Sequence, residues 1–258
     1  MRLLVKLGGT LLDAVESRRR LAHELAEVAR LGHQLVVVHG GGKQMTRFLA
    51  ERGVESRFID GLRVTTPETI DAVLKVFAGS VNKQLVAALI EAGIPAVGLS
   101  GIDACLVEAE LLRPELGYVG RPMRCDPALL DCLTGAGYLP VVACVAGDRQ
   151  GRIYNVNADQ MAVACATGFQ AERLIFLTDV DGVLGQDKQP VPLLSLAGSQ
   201  DLIRRGLATG GMLAKLNSAA QALSQGIQQV VIAPGGAENG IQRLLAGEAI
   251  GTRLVKDA

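Results

Sequence analysis

Two lysines stand beside pairs of glycines in this sequence, a pattern that favours the binding of an anion. Lys6 lies in an apolar run that leads to Gly8–Gly9, and Lys215 follows Gly210–Gly211 near the start of an alanine-rich segment. An ammonium group in a buried strand is costly to desolvate unless an anion meets it. A lysine near a helix N-terminus opposes the helix dipole, so we expect an anion to hold Lys215 there. For Lys6, a surface position on an edge strand is the alternative.

A third glycine-rich segment, Gln34–Lys43, has the sequence QLVVVHGGGK. The apolar residues Leu35–Val38 predict a strand buried on both faces, and the spacing of apolar residues after the glycines predicts a helix. Glycine amides at a helix N-terminus favour negative charge, because no Cβ keeps an anion away from them. A tight turn that binds no ligand is the alternative.

Three polar residues are placed where they could bind a substrate. Arg63 precedes a predicted helix start at Pro67, where it could hold a carboxylate through two parallel hydrogen bonds or lie in solvent. Asn155 and Asp159 flank another helix start, for which Asn157 is a plausible N-cap. Taken alone, capping explains both residues.

Composition limits the class of protein. The chain has 258 residues, of which 49% are hydrophobic, and equal numbers of acidic and basic residues give it no net charge. This balance argues against global disorder and against non-specific nucleic-acid binding. Five cysteines without a C-x-x-C pair argue against disulfides and zinc, and favour thiols in a reducing cytoplasm. The sequence shows no signal peptide and no continuous apolar run of about 18 residues, so we expect a soluble protein with no membrane partner.

Predicted buried strands alternate with helices and most run directly into glycine, which indicates a parallel sheet covered by helices on both faces. These strands are Leu3–Val5, Leu35–Val38, Ala96–Ser100, Leu139–Ala143, Leu174–Leu177 and Val230–Ala233. Ligands bind beyond the carboxyl ends of such strands. Asp179 and Asp181 lie there and could meet a ribose, a metal ion or their own turn amides. Neither G-x-x-x-x-G-K-[ST] nor G-x-G-x-x-G occurs, which disfavours a P-loop enzyme and a dinucleotide-dependent dehydrogenase.

Five motifs together resemble those of the amino acid kinase family. They are K-L-G-G at Lys6–Gly9, H-G-G-G at His39–Gly42, G-L-R-V-T at Gly61–Thr65, N-V-N-A-D at Asn155–Asp159 and G-G-M-x-x-K at Gly210–Lys215. Their order along the chain also matches, although each motif alone is weak. The region between Ile102 and Leu112 matches poorly.

The resemblance implies an open αβα sandwich with a mainly parallel central sheet, formed by one domain over residues 1–258. A lobe of about residues 1–170 would bind an acyl amino acid and form the dimer, and a lobe of about residues 171–258 would bind ATP. The implied reaction, the second step of arginine biosynthesis, phosphorylates the side-chain carboxylate of N-acetyl-L-glutamate. Mg²⁺ would be held mainly by the nucleotide phosphates, with no metal ligand from the protein.

The same resemblance implies a role for each matched residue. Catalytic roles belong to Lys6, Gly9, Asp159 and Lys215, with the two lysines reaching the transferred phosphoryl group from opposite sides and Asp159 orienting both. Substrate binding belongs to Gly41, Gly42, Arg63 and Asn155. Two segments would border the nucleotide: Asp179, Val180, Asp181, Gly182, Val183 and Leu184, and then Leu207, Ala208, Thr209, Gly210 and Gly211.

Two rival functions remain open. One is a kinase of the same family that acts on an aminoadipate derivative or another acyl amino acid, against which Arg63 within G-L-R-V-T favours acetylglutamate. The other is a non-catalytic sensor of nucleotides or amino acids, which would be expected to lack one of the two lysines.

Oligomeric state is predicted from two parts of the chain. The apolar helix predicted between Pro67 and Gly93 is longer than one face of a sheet needs, so we expect it to join a homodimer. Members of the resembled family that arginine inhibits carry an extra N-terminal helix, which links dimers into hexamers. Only five residues precede Lys6, so we expect no hexamer and no inhibition by arginine.

Overall fold

The computed structural model describes residues 1–257 as fourteen strands and nine α-helices. The strands are β1 Arg2–Leu7, β2 Gln34–His39, β3 Phe58–Ile59, β4 Leu62–Arg63, β5 Ala96–Ser100, β6 Val107–Leu111, β7 Val119–Cys125, β8 Leu139–Ala143, β9 Val145–Gly147, β10 Ile153–Val156, β11 Arg173–Thr178, β12 Leu193–Ser195, β13 Gln229–Pro234 and β14 Thr252–Val255. The helices are α1 Val15–Arg30, α2 Gly42–Ala50, α3 Pro67–Val73, α4 Asn82–Glu91, α5 Ala128–Gly135, α6 Ala158–Gly168, α7 Leu196–Arg204, α8 Gly210–Ser224 and α9 Gly240–Leu245.

Eight of these strands form a single sheet in the order β12-β14-β13-β11-β1-β2-β8-β5. All neighbouring pairs are parallel except β13 and β14. The α/β class and the mainly parallel sheet predicted from the sequence are therefore confirmed. In the centre of the sheet, Lys6 is paired with Phe176 on one side and Val38 on the other. The carboxyl ends of β1, β2 and β11 consequently meet at one edge.

The buried faces of these elements explain why the sheet forms. Leu35–Val38 are all buried, as expected for a strand covered on both sides, and so are Leu3–Val5. Helix α1 packs beside α4 and α9, while α6 packs beside α8 and against β1. One aliphatic core results, in which burial of apolar side chains supplies the main driving force for folding.

A second β unit is separate from the eight-stranded sheet. Strands β10, β7, β6 and β9 close on themselves, and β6 and β7 form an antiparallel hairpin. Its last strand, β10, leads straight into α6, whose N-cap is Asn157 as predicted. The closed unit thus fixes where the start of α6 lies.

The segment predicted as one helix between Pro67 and Gly93 is a composite helix, Pro67–Glu91, in which π-helical residues Leu74–Val81 separate α3 from α4. Thr66 caps it by accepting a hydrogen bond from the Thr69 N–H. Its most apolar 18 residues have a mean hydropathy of 1.4, which by length and composition alone would allow it to cross a membrane. Core helices of soluble proteins share these properties, and 44% of that stretch is buried in the protein.

Candidate active site

Two lysines from distant parts of the chain share one carboxylate. Lys6 Nζ lies 2.6 Å from Asp159 Oδ1, and Lys215 Nζ lies 3.2 Å from Asp159 Oδ2. The central strand β1 supplies Lys6, the first turn of α6 supplies Asp159, and the first turns of α8 supply Lys215. Two ammonium groups against one carboxylate leave a net positive charge, which favours a further anion.

The charge state of Asp159 follows from its surroundings. Burial raises the pKa of its carboxyl group, but the positive charges of Lys6 and Lys215 more than offset this, so the pKa lies below its usual range. Asp159 is therefore ionised at neutral pH. The side chain of Asn157 satisfies the Asp159 and Gln160 amides by itself. Capping as the explanation of Asp159 was wrong, because its carboxylate faces the two lysines instead.

A cavity of about 700 Å³ lies beside this cluster. Six residues predicted to act in the site line it: Lys6, Gly9, Gly42, Arg63, Asp179 and Lys215. Four of those six are charged, and three of the four are positive. The wall therefore suits a ligand that carries several negative charges.

Glycines allow two turns to approach each other at the end of the sheet. A Cβ on Gly9 would lie 3.3 Å from the Gly42 nitrogen, so a side chain there would crowd the N-terminus of α2. Within residues 1–257, the Gly41 and Gly42 N–H groups have no protein acceptor. These amides, at the positive end of a helix dipole, suit a phosphate or carboxylate oxygen.

Arg63 is buried, so the interpretation as a solvated surface residue was wrong. Its guanidinium donates to the Gly42 carbonyl at 3.1 Å, to Thr46 Oγ1 at 2.8 Å and to Ser56 Oγ. The Phe58 ring lies 4.7 Å from its Cζ. Burial lowers the pKa of Arg63. Its partners orient the guanidinium without neutralising it, which suits it to bind a carboxylate.

Asn155 lies behind this arginine, away from the cavity wall. Its Nδ2 donates to Thr65 Oγ1 at 3.0 Å, and that hydroxyl donates to the Arg63 carbonyl at 2.9 Å. The chain of hydrogen bonds ties β10 to β4 and places Asn155 at the same end of the site as Arg63. Gly41 and Asp159 likewise border the site from behind its wall.

The two segments predicted to border the nucleotide contain both exposed and buried residues. Asp179 lines the cavity, whereas Val183 and Ala208 are buried. The Val183 N–H donates to Thr252 Oγ1 at 2.8 Å, so this amide is already used within the protein. Other members of the segments are exposed: Val180, Leu184 and Leu207. A nucleotide role for these segments stays a prediction.

Sequence reasoning assigned no site role to nine further residues of the cavity wall. They are Gly8, Thr10, Asp13, Lys43, Thr46, Arg47, Ala50, Phe58 and Thr178. A helical spacing could have revealed two of them, because Lys43 and Arg47 are four residues apart on α2 and share a face with the glycine turn. Arg47 pairs with Asp13, with Nη1 3.3 Å from Oδ2, at the rim.

A protein-bound metal ion finds little support in the residues that the structure describes. No group of three or more His, Cys, Asp or Glu side chains occurs with metal-binding spacing in residues 1–257. The Asp159 carboxylate, which lies beside the cavity, is already paired with two ammonium groups. A cation there would meet repulsion from both lysines.

Comparison with known proteins decides the family. The model of the amino acid kinase family matches residues 1–234. An acetylglutamate kinase from Solibacter usitatus is 65% identical over 99% of both chains, and one from Acidobacterium capsulatum is 44% identical over 91% of both. The chain belongs to the amino acid kinase family. The motifs that suggested the resemblance are those that the fold brings together around Lys6 and Asp159.

A solved structure also resembles this amino acid kinase along its whole length. N-acetylglutamate synthase from Neisseria gonorrhoeae, in complex with coenzyme A and N-acetyl-glutamate, superposes with a TM-score of 0.89 at 28% identity. The superposition covers all of this chain and 60% of the synthase chain, so the chain spans well under two thirds of that protein. The shared fold thus occurs in proteins named for different reactions, and the side chains of the site must decide the activity.

Proposed function

We propose that this amino acid kinase transfers the γ-phosphoryl group of ATP to the side-chain carboxylate of N-acetyl-L-glutamate, giving N-acetyl-L-glutamyl 5-phosphate in arginine biosynthesis. The observation that carries the proposal is the bridge of Lys6 and Lys215 across Asp159, beside a cavity that also holds Arg63. The names of the two acetylglutamate kinases support the choice of substrate.

The acceptor carboxylate is already ionised at neutral pH, so the reaction requires no general base. Its main barrier is repulsion between two anions, which grows as charge spreads over the equatorial oxygens of the transferred group. Lys6 and Lys215 supply positive charge to those oxygens, and Asp159 holds both ammonium groups in place. The amides of Gly9, Gly41 and Gly42 add hydrogen bonds from a fixed backbone.

Substrate and nucleotide occupy opposite ends of the site. Arg63 and Asn155 bind the α-carboxylate and neighbouring polar groups of acetylglutamate, within the lobe of about residues 1–170. The lobe of about residues 171–258 holds ATP along Asp179–Leu184 and Leu207–Gly211. Mg²⁺ bound to the nucleotide phosphates supplies charge neutralisation there. The glycine amides that have no acceptor within the described residues and the positive cavity wall fit such a polyphosphate.

The active species is a homodimer joined through the composite helix Pro67–Glu91. Ile90 is 57% exposed on that helix, and the neighbouring strand β5 is an edge strand that is only half-buried. Apolar surface beside an open sheet edge is typical of a self-association site. All five cysteines are free, which supports a reducing compartment such as the cytoplasm.

Hydroxamate formation tests the proposed reaction, because hydroxylamine traps an acyl phosphate. The enzyme with ATP and Mg²⁺ should give hydroxamate from N-acetyl-L-glutamate at least about 10-fold faster than from N-acetyl-L-aspartate or N-acetyl-L-2-aminoadipate, since a shifted carboxylate loses the near-attack geometry. Faster hydroxamate formation from N-acetyl-L-2-aminoadipate would show that the aminoadipate derivative, and not acetylglutamate, is the substrate. No hydroxamate from any acceptor would contradict a kinase function altogether.

A further inference from the structure

His39 is a buried histidine that the reaction described above does not use. It is the last residue of β2 and is fully buried. Its Nδ1 lies 2.8 Å from the Gly40 carbonyl oxygen, and its Nε2 lies 3.0 Å from Asn82 Nδ2. A carbonyl oxygen can only accept, so Nδ1 carries the proton and Nε2 accepts from the Asn82 amide. The two partners thus select a single neutral tautomer.

Burial and hydrogen bonds fix the orientation of the Asn82 side chain. It is the first residue of α4 and is 1% exposed. Its Nδ2 also donates to the Val141 carbonyl at 2.9 Å, so both amide hydrogens have acceptors and the side chain cannot rotate without losing them. Burial keeps His39 uncharged, because it lowers the pKa of the imidazole to about 4. The pair is therefore fixed in geometry and in protonation at neutral pH.

The bond from His39 acts on the peptide that joins Gly40 to Gly41. The chain contains no cis peptide in residues 1–257, so the Gly40 carbonyl and the Gly41 N–H point in opposite directions from one rigid plane. A bond that fixes the carbonyl also fixes the direction of that N–H. The Gly41 N–H is one of the amides without a protein acceptor at the start of α2.

The same composite helix touches the turn a second time. A Cβ on Gly41 would lie 2.7 Å from Phe77 Cδ1 and 3.4 Å from Val81 Cγ2, and both side chains belong to the π-helical segment. Asn82 follows Val81 directly. Packing by Phe77 and Val81 limits translation of the turn, while the hydrogen bonds through His39 limit rotation of its peptide plane. Short π-helical segments within α-helices occur frequently at functional sites.

We propose that His39 and Asn82 are positioning residues that aim the Gly41 N–H at the group transferred in the reaction. The proposal rests on the proposed phosphoryl transfer, to which it adds a hydrogen-bonded link from the composite helix through Asn82 and His39 to the Gly40 carbonyl. The neutral Nδ1–H tautomer of His39 is essential to this role, because the Nε2–H tautomer would turn a lone pair towards the Gly40 carbonyl. A donor aimed in advance at developing charge accelerates the chemical step more than it tightens substrate binding.

Two substitutions of His39 separate this role from simple packing. In His39→Asn the amide nitrogen takes the place of Nδ1 and can still donate to Gly40, whereas in His39→Gln the side chain reaches towards Asn82 and leaves that carbonyl without a donor. We expect His39→Asn to keep kcat within about 3-fold and His39→Gln to lower it at least about 10-fold, with both KM values changed less than about 3-fold. Thr69→Val is the control, since it removes a buried hydroxyl of the same helix that bonds to Thr66.

Thermal unfolding of the same variants separates activity from stability. A purely structural role predicts that both His39 variants lose Tm and keep equal kcat values, and this outcome would overturn the proposal. Asn82→Asp provides a second test, because a carboxylate beside Nε2 demands a proton there. It should move the His39 side-chain ¹⁵N resonances away from the neutral Nδ1–H pattern. If they report a neutral Nε2–H imidazole, kcat should fall as in His39→Gln, and if they report an imidazolium, which keeps Nδ1–H, kcat should stay near the wild-type value. Wild-type resonances of an Nε2–H tautomer would also overturn the proposal.

The amide resonance of Gly41 gives a measurement that does not depend on turnover. Titration with ATP and Mg²⁺ should shift it in the wild type and in His39→Asn, and should shift it much less in His39→Gln. If the wild type forms no hydroxamate but the Gly41 amide responds in this pattern, the proposed reaction fails and the positioning role stands. If hydroxamate forms while all three proteins respond alike, the positioning role fails and the reaction stands.

Discussion

Two glycine turns begin helices that contribute to the same cavity, but their surroundings differ. Gly41, before α2, is braced: a Cβ there would meet Phe77, and the preceding peptide is bonded to His39. Gly210 and Gly211, at the start of α8, are open, because no atom lies within 4 Å of a Cβ on either. Gly210 also has a positive φ of 52°, a conformation that glycine adopts without strain.

The difference indicates a division of tasks between the turns. The braced turn presents amides whose direction is set before any ligand binds, so no reorganisation is needed during the chemical step. The open turn can change its backbone when a ligand enters or leaves. We therefore expect the cavity to be more rigid at Gly41, on the acceptor side in the proposed function, than at Gly210 and Gly211, on its nucleotide side.

The largest loss of kcat is expected for the two lysines, which act from the two sides of the cavity on the charge of the transferred phosphoryl group. Lys6→Ala and Lys215→Ala should each lower kcat at least about 100-fold with little change in KM for acetylglutamate, because the ammonium groups act mainly in the transition state. Steady-state hydroxamate assays measure both constants. Lys83→Ala on α4, far more exposed, is the control. Near-normal kcat in both variants would remove the lysines from the chemical step.

The glycines themselves test the comparison directly. Gly41→Ala should destabilise the protein by about 1–3 kcal/mol, because its Cβ would overpack against Phe77. Gly211→Ala should leave Tm unchanged, since the added methyl group enters open space beside α8. Thermal unfolding measures the difference. Equal Tm losses would mean that the two turns are equally constrained and that the comparison is wrong.

Arg63 tests whether the rigid side is the acceptor side. Arg63→Lys should raise KM for acetylglutamate about 10-fold and leave KM for ATP within about 2-fold, because a lysine cannot bind a carboxylate through two parallel hydrogen bonds. Arg243→Lys on α9, an exposed arginine that pairs with Glu248, is the matched control. A change in the ATP constant instead would place Arg63 on the nucleotide side.

The smallest expected effect is the contribution of His39 to the pH dependence of stability. The unfolded chain protonates His39 near pH 6.5, whereas burial lowers the pKa of the folded imidazole to about 4. Between these values the unfolded state binds more protons, so acidification lowers stability by at most about 1.4 kcal/mol per pH unit. His39→Asn lacks this titration, so its stability deficit against the wild type should shrink as pH falls. Urea unfolding at pH 7 and 5 measures this deficit, and a constant deficit would contradict the buried neutral state.

The sequence was most informative where local pattern and tertiary structure agree. Alternating apolar runs and glycines predicted the parallel sheet, because a strand such as Leu35–Val38 can be buried only between two layers. Spacing alone could not assign Asp159, whose partners lie far away in the chain, and capping was the better local explanation. The family motifs supplied that pairing before the structure placed Lys6 and Lys215 on its two oxygens.

Other features had no local sequence signal. The π segment Leu74–Val81 is apolar like the helices beside it, so composition does not distinguish it. Its residue Phe77 packs on Gly41. Val183 lies in a polar turn but is buried, and its N–H donates to Thr252 Oγ1 from the last strand. Gly41 and Phe77 are 36 positions apart and Val183 and Thr252 are 69 positions apart, so periodicity within a short window cannot reveal these contacts.

The central position of β1 has a consequence for hydrogen exchange. Lys6 lies on a strand paired on both sides, with β11 and with β2. Amides in the middle of such a sheet exchange chiefly through global unfolding, whereas exposed loops such as that around Val180 exchange through local opening. Deuterium should therefore label the β1 backbone around Lys6 last and the loop around Val180 early. Local opening of that loop can then occur many times in the life of one molecule without displacing the ammonium group of Lys6.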